Sequence, residues 1–260
     1  MGILCAMKAQ RKEPRENRIP EQGVPVVLIR HAQSLWNKEN RFTGWANPEL
    51  TDAGIREAQK AGDWLKENGY QFDVAYSSRL QRAISTLDIL LDRLGQARLL
   101  RRQDWRLNER HYGTLQGIDK DVAMAQVGEH QVWRWRRGYE DRATQLLRTD
   151  PRHPVNDPMY ADVNPHQLPG VENLAQTRER VVLFWNEQVA PRIRKGERVL
   201  ISAHGNTLRA LLMDLACMST EEVESFEIPT ATPILYRFDD RGNPLDWRYL
   251  DKHVEMTKSA

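Results

Sequence analysis

Two histidines and several arginines stand where they could do chemistry together. His31 follows Arg30 at the end of the β-branched run Val26-Val27-Leu28-Ile29. His204 follows a second apolar run, Arg198 to Ala203, and precedes Gly205 and Asn206. A third run, Phe72 to Ser77, leads into Ser78, with Arg79 and Arg82 close behind. A lone histidine after a strand is ordinarily a polar residue without a special role. Two at equivalent strand ends, each flanked by groups suited to anions, point to one shared site. Gly205-Asn206-Thr207 opens a helix, and the free N–H groups and positive dipole end of a helix start favour a phosphate. Arg30 and Arg82 can grip phosphate oxygens in bidentate fashion. A guanidinium at about 4 Å from one anionic charge gains roughly 4 kcal/mol at an effective dielectric near 20, before desolvation is subtracted. Several arginines around one ligand therefore imply a multiply charged anion, because without it they repel one another. Phosphoryl transfer asks mainly for positioning and for neutralisation of three oxygens. A neutral imidazole attacks phosphorus when its other nitrogen is held as a donor. Arginines supply the charge a metal otherwise would, so this chemistry requires no metal.

These groups need strands to deliver them. The runs at Val26–Ile29 and Arg198–Ala203 read as strands buried on both faces, and Phe72–Ser77 as a shorter one. Helix signals lie between them. Thr51 or Asp52 caps a helix ending before Gly69, with Gly54, Ala58, Ala61 and Leu65 at helical spacing. Leu80 to Leu94 reads as a helix ended by Gly95. Asn173 to Val189 is another, and Leu208, Leu211, Leu212 and Leu215 mark the helix after His204. Thr232–Phe238 and Leu245–Leu250 read as final strands joined by a turn at 239–244. Alternating strands and helices predict a three-layer α/β/α fold with a mostly parallel sheet, whose ligands sit beyond the carboxyl ends of the strands. Residues 105–172 break the alternation. They are rich in Trp, Arg, His and Pro, and read as a helical and loop cap inserted over the strand ends.

Composition limits the remaining classes. A net charge of +2 on 260 residues argues against a general polyanion binder. No apolar stretch approaches membrane-spanning length. Cys5 and Cys217 are too few for a disulfide scaffold or a cysteine-based metal cage. Residues 1–23 read as a partly ordered N-terminal extension, or alternatively a docking arm. Residues 24–250 read as one catalytic domain, and 251–260 as a short C-terminal tail. Trp133-Arg134-Trp135-Arg136-Arg137 mimics a patch for single-stranded nucleic acid, but such a run is more often a half-buried helix with Trp inward.

Longer motifs now resemble a known family. Arg30-His31-Ala32-Gln33-Ser34, Trp36-Asn37 and Arg41-Phe42-Thr43-Gly44-Trp45 look like the opening of the histidine phosphatase superfamily. Leu107-Asn108-Glu109-Arg110-His111-Tyr112-Gly113, Trp135-Arg136-Arg137-Gly138 and Ser202-Ala203-His204-Gly205-Asn206 narrow the likeness to its 2,3-bisphosphoglycerate-dependent phosphoglycerate mutases. The resemblance runs from about Val26 to Leu250. It implies that His31 is phosphorylated, that His204 stabilises the transferring group and that Glu109 is the general acid and base. It implies phosphate and substrate contacts from Arg30, Ser34, Asn37, Thr43, Gly44, Arg82, Gly205 and Asn206. Tyr112, Lys120, Arg136 and Arg137 would hold a carboxylate and a distal phosphate. The implied activity is interconversion of 2-phosphoglycerate and 3-phosphoglycerate in glycolysis and gluconeogenesis, primed by 2,3-bisphosphoglycerate and needing no metal. The implied protein is a cytoplasmic homo-oligomer, dimer or tetramer, without nucleic-acid or membrane partners. The alternatives are a small-molecule phosphatase of the same superfamily and a catalytically weakened binding protein.

The chain departs from the family pattern at Ala32-Gln33, where Gly-Glu is usual. Alanine adds a methyl beside the phosphate and disfavours any positive φ there, while glutamine removes a negative charge near the arginines. Only about ten residues follow Leu250, whereas family mutases usually carry a longer tail over the site. Water exclusion is the work of lids and tails, so a slow phosphatase leak is expected. His111, His153 and His166 read as structural or surface residues.

Overall fold

The structure, a computed structural model, describes Gln10, Arg11 and residues 23–250. Apart from Gln10 and Arg11, the expectations for the N-terminal extension and the 251–260 tail lie outside the described residues.

Strands β1 (Gln10–Arg11), β2 (Val24–Arg30), β3 (Val74–Ser77), β4 (Arg101–Gln103), β5 (Val199–Ala203), β6 (Pro233–Phe238) and β7 (Pro244–Tyr249) form one sheet. Their spatial order is β1-β7-β6-β2-β5-β3-β4. Only β6 runs antiparallel to its neighbours. The short turn at 239–243, closed by Asp239 and by Gly242 at φ +86, leaves β6 and β7 no room for a crossover. The sheet is therefore mostly parallel, as the alternation predicts.

Period-two alternation of apolar side chains makes the three layers. Val26 and Leu28 of β2 face one side, with Val199 and Ile201 of β5, and pack on helices α6 (Leu174–Phe184), α7 (Ala190–Ile193) and α8 (Gly205–Leu215). Val27 and Ile29 face the other side, with Leu200, and pack on α2 (Asp52–Glu67) and α3 (Gln81–Arg93). All four apolar residues of the Val26–Ile29 run are fully buried, as expected for a central strand of such a fold.

Helix boundaries follow local chemistry. The Thr51 hydroxyl accepts from the Gly54 N–H at 3.0 Å and starts α2. Gly95, at φ +72, ends the turn after α3. Asn173 and Gln176 form a capping box at the start of α6. The expected Asn173–Val189 helix continues further, through a π-helical stretch at Trp185–Val189 into α7.

The expected cap contains helices α4 (Lys120–Val127) and α5 (Glu129–Arg137), several 3₁₀ turns and no strand among residues 104–173. It has small cores of its own. Phe42 packs with Leu115, Ala123 and Val132, and Trp45 with Tyr160, Val163 and Leu168. Trp135 turns toward the first core, whereas Trp133 is exposed. Helices α1 (Leu35–Lys38) and α9 (Thr220–Ser225), together with the polar, exposed β4, lack the apolar periodicity that would have marked them.

Gly54 is where α2 meets the loop leaving β2. A Cβ there would lie 2.1 Å from the Gln33 carbonyl oxygen. Gly54→Ala should lower the urea midpoint at unchanged m-value, by about 1–3 kcal/mol of stability as overpacking typically costs. An unaltered midpoint would show that α2 can slide away from the loop without penalty.

Candidate active site

The carboxyl ends of β2, β3 and β5 bring the two histidines together. The His31 and His204 rings lie 5.0 Å apart between centroids, and both side chains are buried. Nδ1 of His31 is 2.8 Å from the Ala32 carbonyl oxygen, which only accepts, so Nδ1 carries the proton. Nε2 is left with its lone pair and accepts from Arg82 Nε–H at 3.2 Å. That is the tautomer a nucleophilic imidazole needs. Burial first, then Arg82 and Arg30, holds the His31 pKa well below its ordinary value, and burial and Arg82 do the same to His204. Nε2 of His204 is hydrogen-bonded to the Ser78 hydroxyl at 2.7 Å. Its buried Nδ1 has no partner among the described residues.

The cations around these rings are held by carbonyls and not by carboxylates. Arg82, nearly fully buried, donates through Nη1 to Ala46 O and through Nη2 to Gly44 O, both at 2.8 Å. Arg30 donates to Ile228 O at 2.8 Å, and its buried Nε has no partner among the described residues. Burial pushes Arg82 down to about 10 and lowers Arg30 as well. Gly44 is required as glycine: its φ is +54, and a Cβ would press on Gln116.

A cavity of about 150 Å³ opens between this strand edge and the cap. The strand edge gives it Arg30, His31, Arg82, Gly205 and Asn206; the segment after β2 gives Asn37, Thr43 and Gly44. Glu109 comes from the start of the cap, followed by Tyr112, Lys120, Arg136 and Arg137. Burial is the main cause that lowers Lys120 and takes Arg137 to about 10, and Arg136 adds to both. Arg137 is ion-paired with Glu227. The Tyr112 oxygen accepts from Asn206 Nδ2 at 3.1 Å, leaving its own proton to donate.

Three details differ from the sequence reading. Ser34 does not line the cavity; it is buried and starts α1, donating to Asn37 Oδ1 at 2.9 Å. It thereby orients the Asn37 amide, which does line the cavity. The Asn206 N–H at the start of α8 is not free for a phosphate. It donates to Glu109 Oε1 at 3.1 Å, because a carboxylate beside a helix start satisfies an orphan donor. His204 is not among the residues that line the cavity, although its ring lies 5.0 Å from that of His31, which is. The two family departures are accommodated. Ala32 is absent from the positive-φ residues, and the Gln33 side chain accepts from the Thr51 hydroxyl at 2.9 Å, outside the cavity lining.

Three lining residues, Arg209, Glu227 and Ile228, escape the sequence reading. Arg209 sits one turn after Asn206 on α8, hydrogen-bonds the Asn206 amide oxygen and donates to Arg136 O at 3.2 Å. Its i, i+3 spacing from Asn206 was the available signal. Glu227 gave none.

His111 is structural. It is fully buried, and its Nδ1 accepts from the Gly113 N–H at 3.0 Å. Burial, with His153 and Arg180 adding, lowers its pKa to about 3. The unfolded chain therefore takes a proton near pH 6.5 that the folded protein refuses. Stability is full above that pH and is lost as pH falls below it. His111→Asn should flatten the fall in unfolding free energy between pH 5.5 and 4.5 by about 1.4 kcal/mol per pH unit. Denaturant titrations at each pH measure this; identical slopes would show that His111 is protonated in the folded state.

The family model described as histidine phosphatase superfamily (branch 1) matches residues 26–153 and 152–249. Among solved structures, Bacillus stearothermophilus YhfR aligns at TM-score 0.64 and 22% identity, covering 88% of this chain and 96% of that one. A mycobacterial glucosyl-3-phosphoglycerate phosphatase, solved with VO3, aligns at 0.64 and 25%, covering 88% and 98%. A phosphoglycerate mutase from Bacillus anthracis str. Sterne aligns at 0.62 and 21%, covering 88% and 92%. A family match across most of the chain, on a fold that sets both strand-end histidines at one edge, leads to one conclusion: this protein belongs to the histidine phosphatase superfamily, branch 1, and its chemistry is phosphoryl transfer.

Proposed function

We propose that the protein interconverts 2-phosphoglycerate and 3-phosphoglycerate through a phosphohistidine at His31, primed by 2,3-bisphosphoglycerate. The observation that carries this reading is the second group of cations. Lys120, Arg136 and Arg137, with Tyr112, line the same cavity as Arg30 and Arg82 but come from the cap. A simple phosphatase needs one anion-binding end; a substrate with a phosphate and a carboxylate uses two. The cavity, at about 150 Å³, is also small. It falls below the roughly 300–1,000 Å³ of sites for drug-sized ligands, which supports a compact substrate.

In this reading His31 Nε2 attacks phosphorus. The P–O bond breaks, and its electron pair goes to the leaving oxygen, which takes a proton from Glu109. The arginines neutralise the phosphoryl oxygens, and His204 Nδ1 is the unpartnered group available to donate to one of them. In the isomerisation the primed phosphohistidine first gives its phosphoryl group to the free hydroxyl of a monophosphoglycerate, whose proton Glu109 accepts, and the bisphosphate so formed then returns its other phosphoryl group to His31 by the step above.

Phosphatases and a mutase both stand among the similar structures, and a coupled assay separates the readings. The expected result is isomerised phosphoglycerate that depends on priming, exceeding free phosphate in the same tube. Free phosphate without isomerisation would replace this reading with the phosphatase one, and neither product would leave a binding protein. Arg136→Gln should cost roughly 10- to 100-fold in kcat/KM, since hydrogen bonds to charged groups are worth about 1.5–3 kcal/mol.

Labelling tests the nucleophile separately. The bisphosphate should leave one acid-labile, base-stable phosphate per chain, and His31→Ala should abolish it. A retained label in that variant would move the nucleophile elsewhere.

A further inference from the structure

Behind Glu109 lies a buried ion pair that the reaction itself does not use. Arg180 of α6 and Glu172, just before it, have side chains only 7% and 4% exposed. Arg180 Nε donates to Glu172 Oε1 at 2.6 Å, and Nη2 donates to Oε2 at 2.8 Å. The remaining N–H groups go to backbone carbonyls: Arg106 at 2.7 Å, Asn108 at 2.8 Å and Glu109 at 3.0 Å. All five guanidinium donors are thus engaged. Glu172 Oε2 also accepts from the His111 N–H at 2.9 Å. Trp45 Nε1–H adds a second donor to the Glu109 carbonyl at 2.5 Å.

The pair therefore grips the chain on both sides of Glu109. Packing alone does not call for this, because a buried ion pair is often no more stabilising than apolar residues of the same volume. The Glu109 carboxylate itself accepts from Arg110 N–H at 2.8 Å and Asn206 N–H at 3.1 Å. Its direction thus depends on the backbone at 109–110 keeping its place against α8.

We infer that Arg180 and Glu172 are positioning residues for Glu109, fixing the backbone around it so that its carboxylate meets the leaving oxygen. This rests on the reading of Glu109 as acid and base. A displaced acid harms only reactions that need a proton. A poor leaving group such as an alkoxide needs one as the P–O bond breaks, whereas p-nitrophenolate leaves without it.

The experiment is therefore a leaving-group series of phosphate monoesters, from p-nitrophenyl phosphate to simple alkyl phosphates, read as kcat/KM. Arg180→Lys keeps the charge but cannot make five directed bonds. Alkyl phosphates should lose roughly 10²-fold, the scale of a 1 Å misplacement, while p-nitrophenyl phosphate changes little. Glu172→Gln should show the same steepened dependence. Trp45→Phe, which removes a single donor to the Glu109 carbonyl, should show a smaller one and serves if the other two do not fold. Equal loss across the series, or none, would overturn the positioning role. Glu109→Gln is the control. A steep series there with a flat one in the pair variants sinks this inference alone, and a flat series in Glu109→Gln sinks the acid assignment.

Discussion

Like charge crowded into a low-dielectric site is the constraint on which the rest depends. Arg30, Arg82, Lys120 and Arg137 surround one cavity, and burial lowers the pKa of each. Among the described residues, Glu109 and Glu227 are the only carboxylates that line it. The protein gives each of these cations a neutral acceptor, and of the four only Arg137 is also ion-paired, with Glu227. Carbonyls at Gly44, Ala46, Phe226 and Ile228 and the Asn40 amide take their hydrogens. Carbonyls satisfy donors without cancelling the field, so the positive potential stays available to an incoming anion. Much of the loop conformation, including the left-handed Gly44, follows from delivering those carbonyls.

The scaffold was legible because its signals are strong and local. A central strand of a three-layer fold must be apolar on both faces, and Val26–Ile29 could hardly be anything else. Helix stops at Gly95 and starts at Thr51 and Asn173 announce themselves through backbone and capping chemistry. The strand-end histidines followed from topology, since parallel strands deliver their last residues to one edge. The polar edge strand β4 did not announce itself, because Arg101-Arg102-Gln103 shows no apolar alternation and all three residues are exposed.

The site was legible where residues sit in contiguous motifs and illegible where partnership spans the chain. Ser34 stands inside the motif, yet its side chain turns to Asn37, a choice decided by a local capping geometry. The Asn206 N–H was expected to be free, but Glu109 is 97 positions away and its proximity is a tertiary fact. Glu172 and Arg180 lie outside every motif, and their hold on Glu109 emerges only once α6 packs behind the cap. Buried polar residues on a helix look like any others in sequence until their partners are in place.

The Arg137–Glu227 pair gives an incoming anion an internal rival. Arg137 is mostly covered, whereas the Glu227 side chain is 68% exposed, so one partner is anchored and the other is tethered loosely at the rim. An anion that engages Arg137 does not meet a bare cation; it displaces a carboxylate that stays nearby at high local concentration. Net affinity at that end is a difference between two associations. Such competition shortens the residence of singly charged ions and of spent ligand, and leaves the advantage to molecules that hold both ends of the cavity at once.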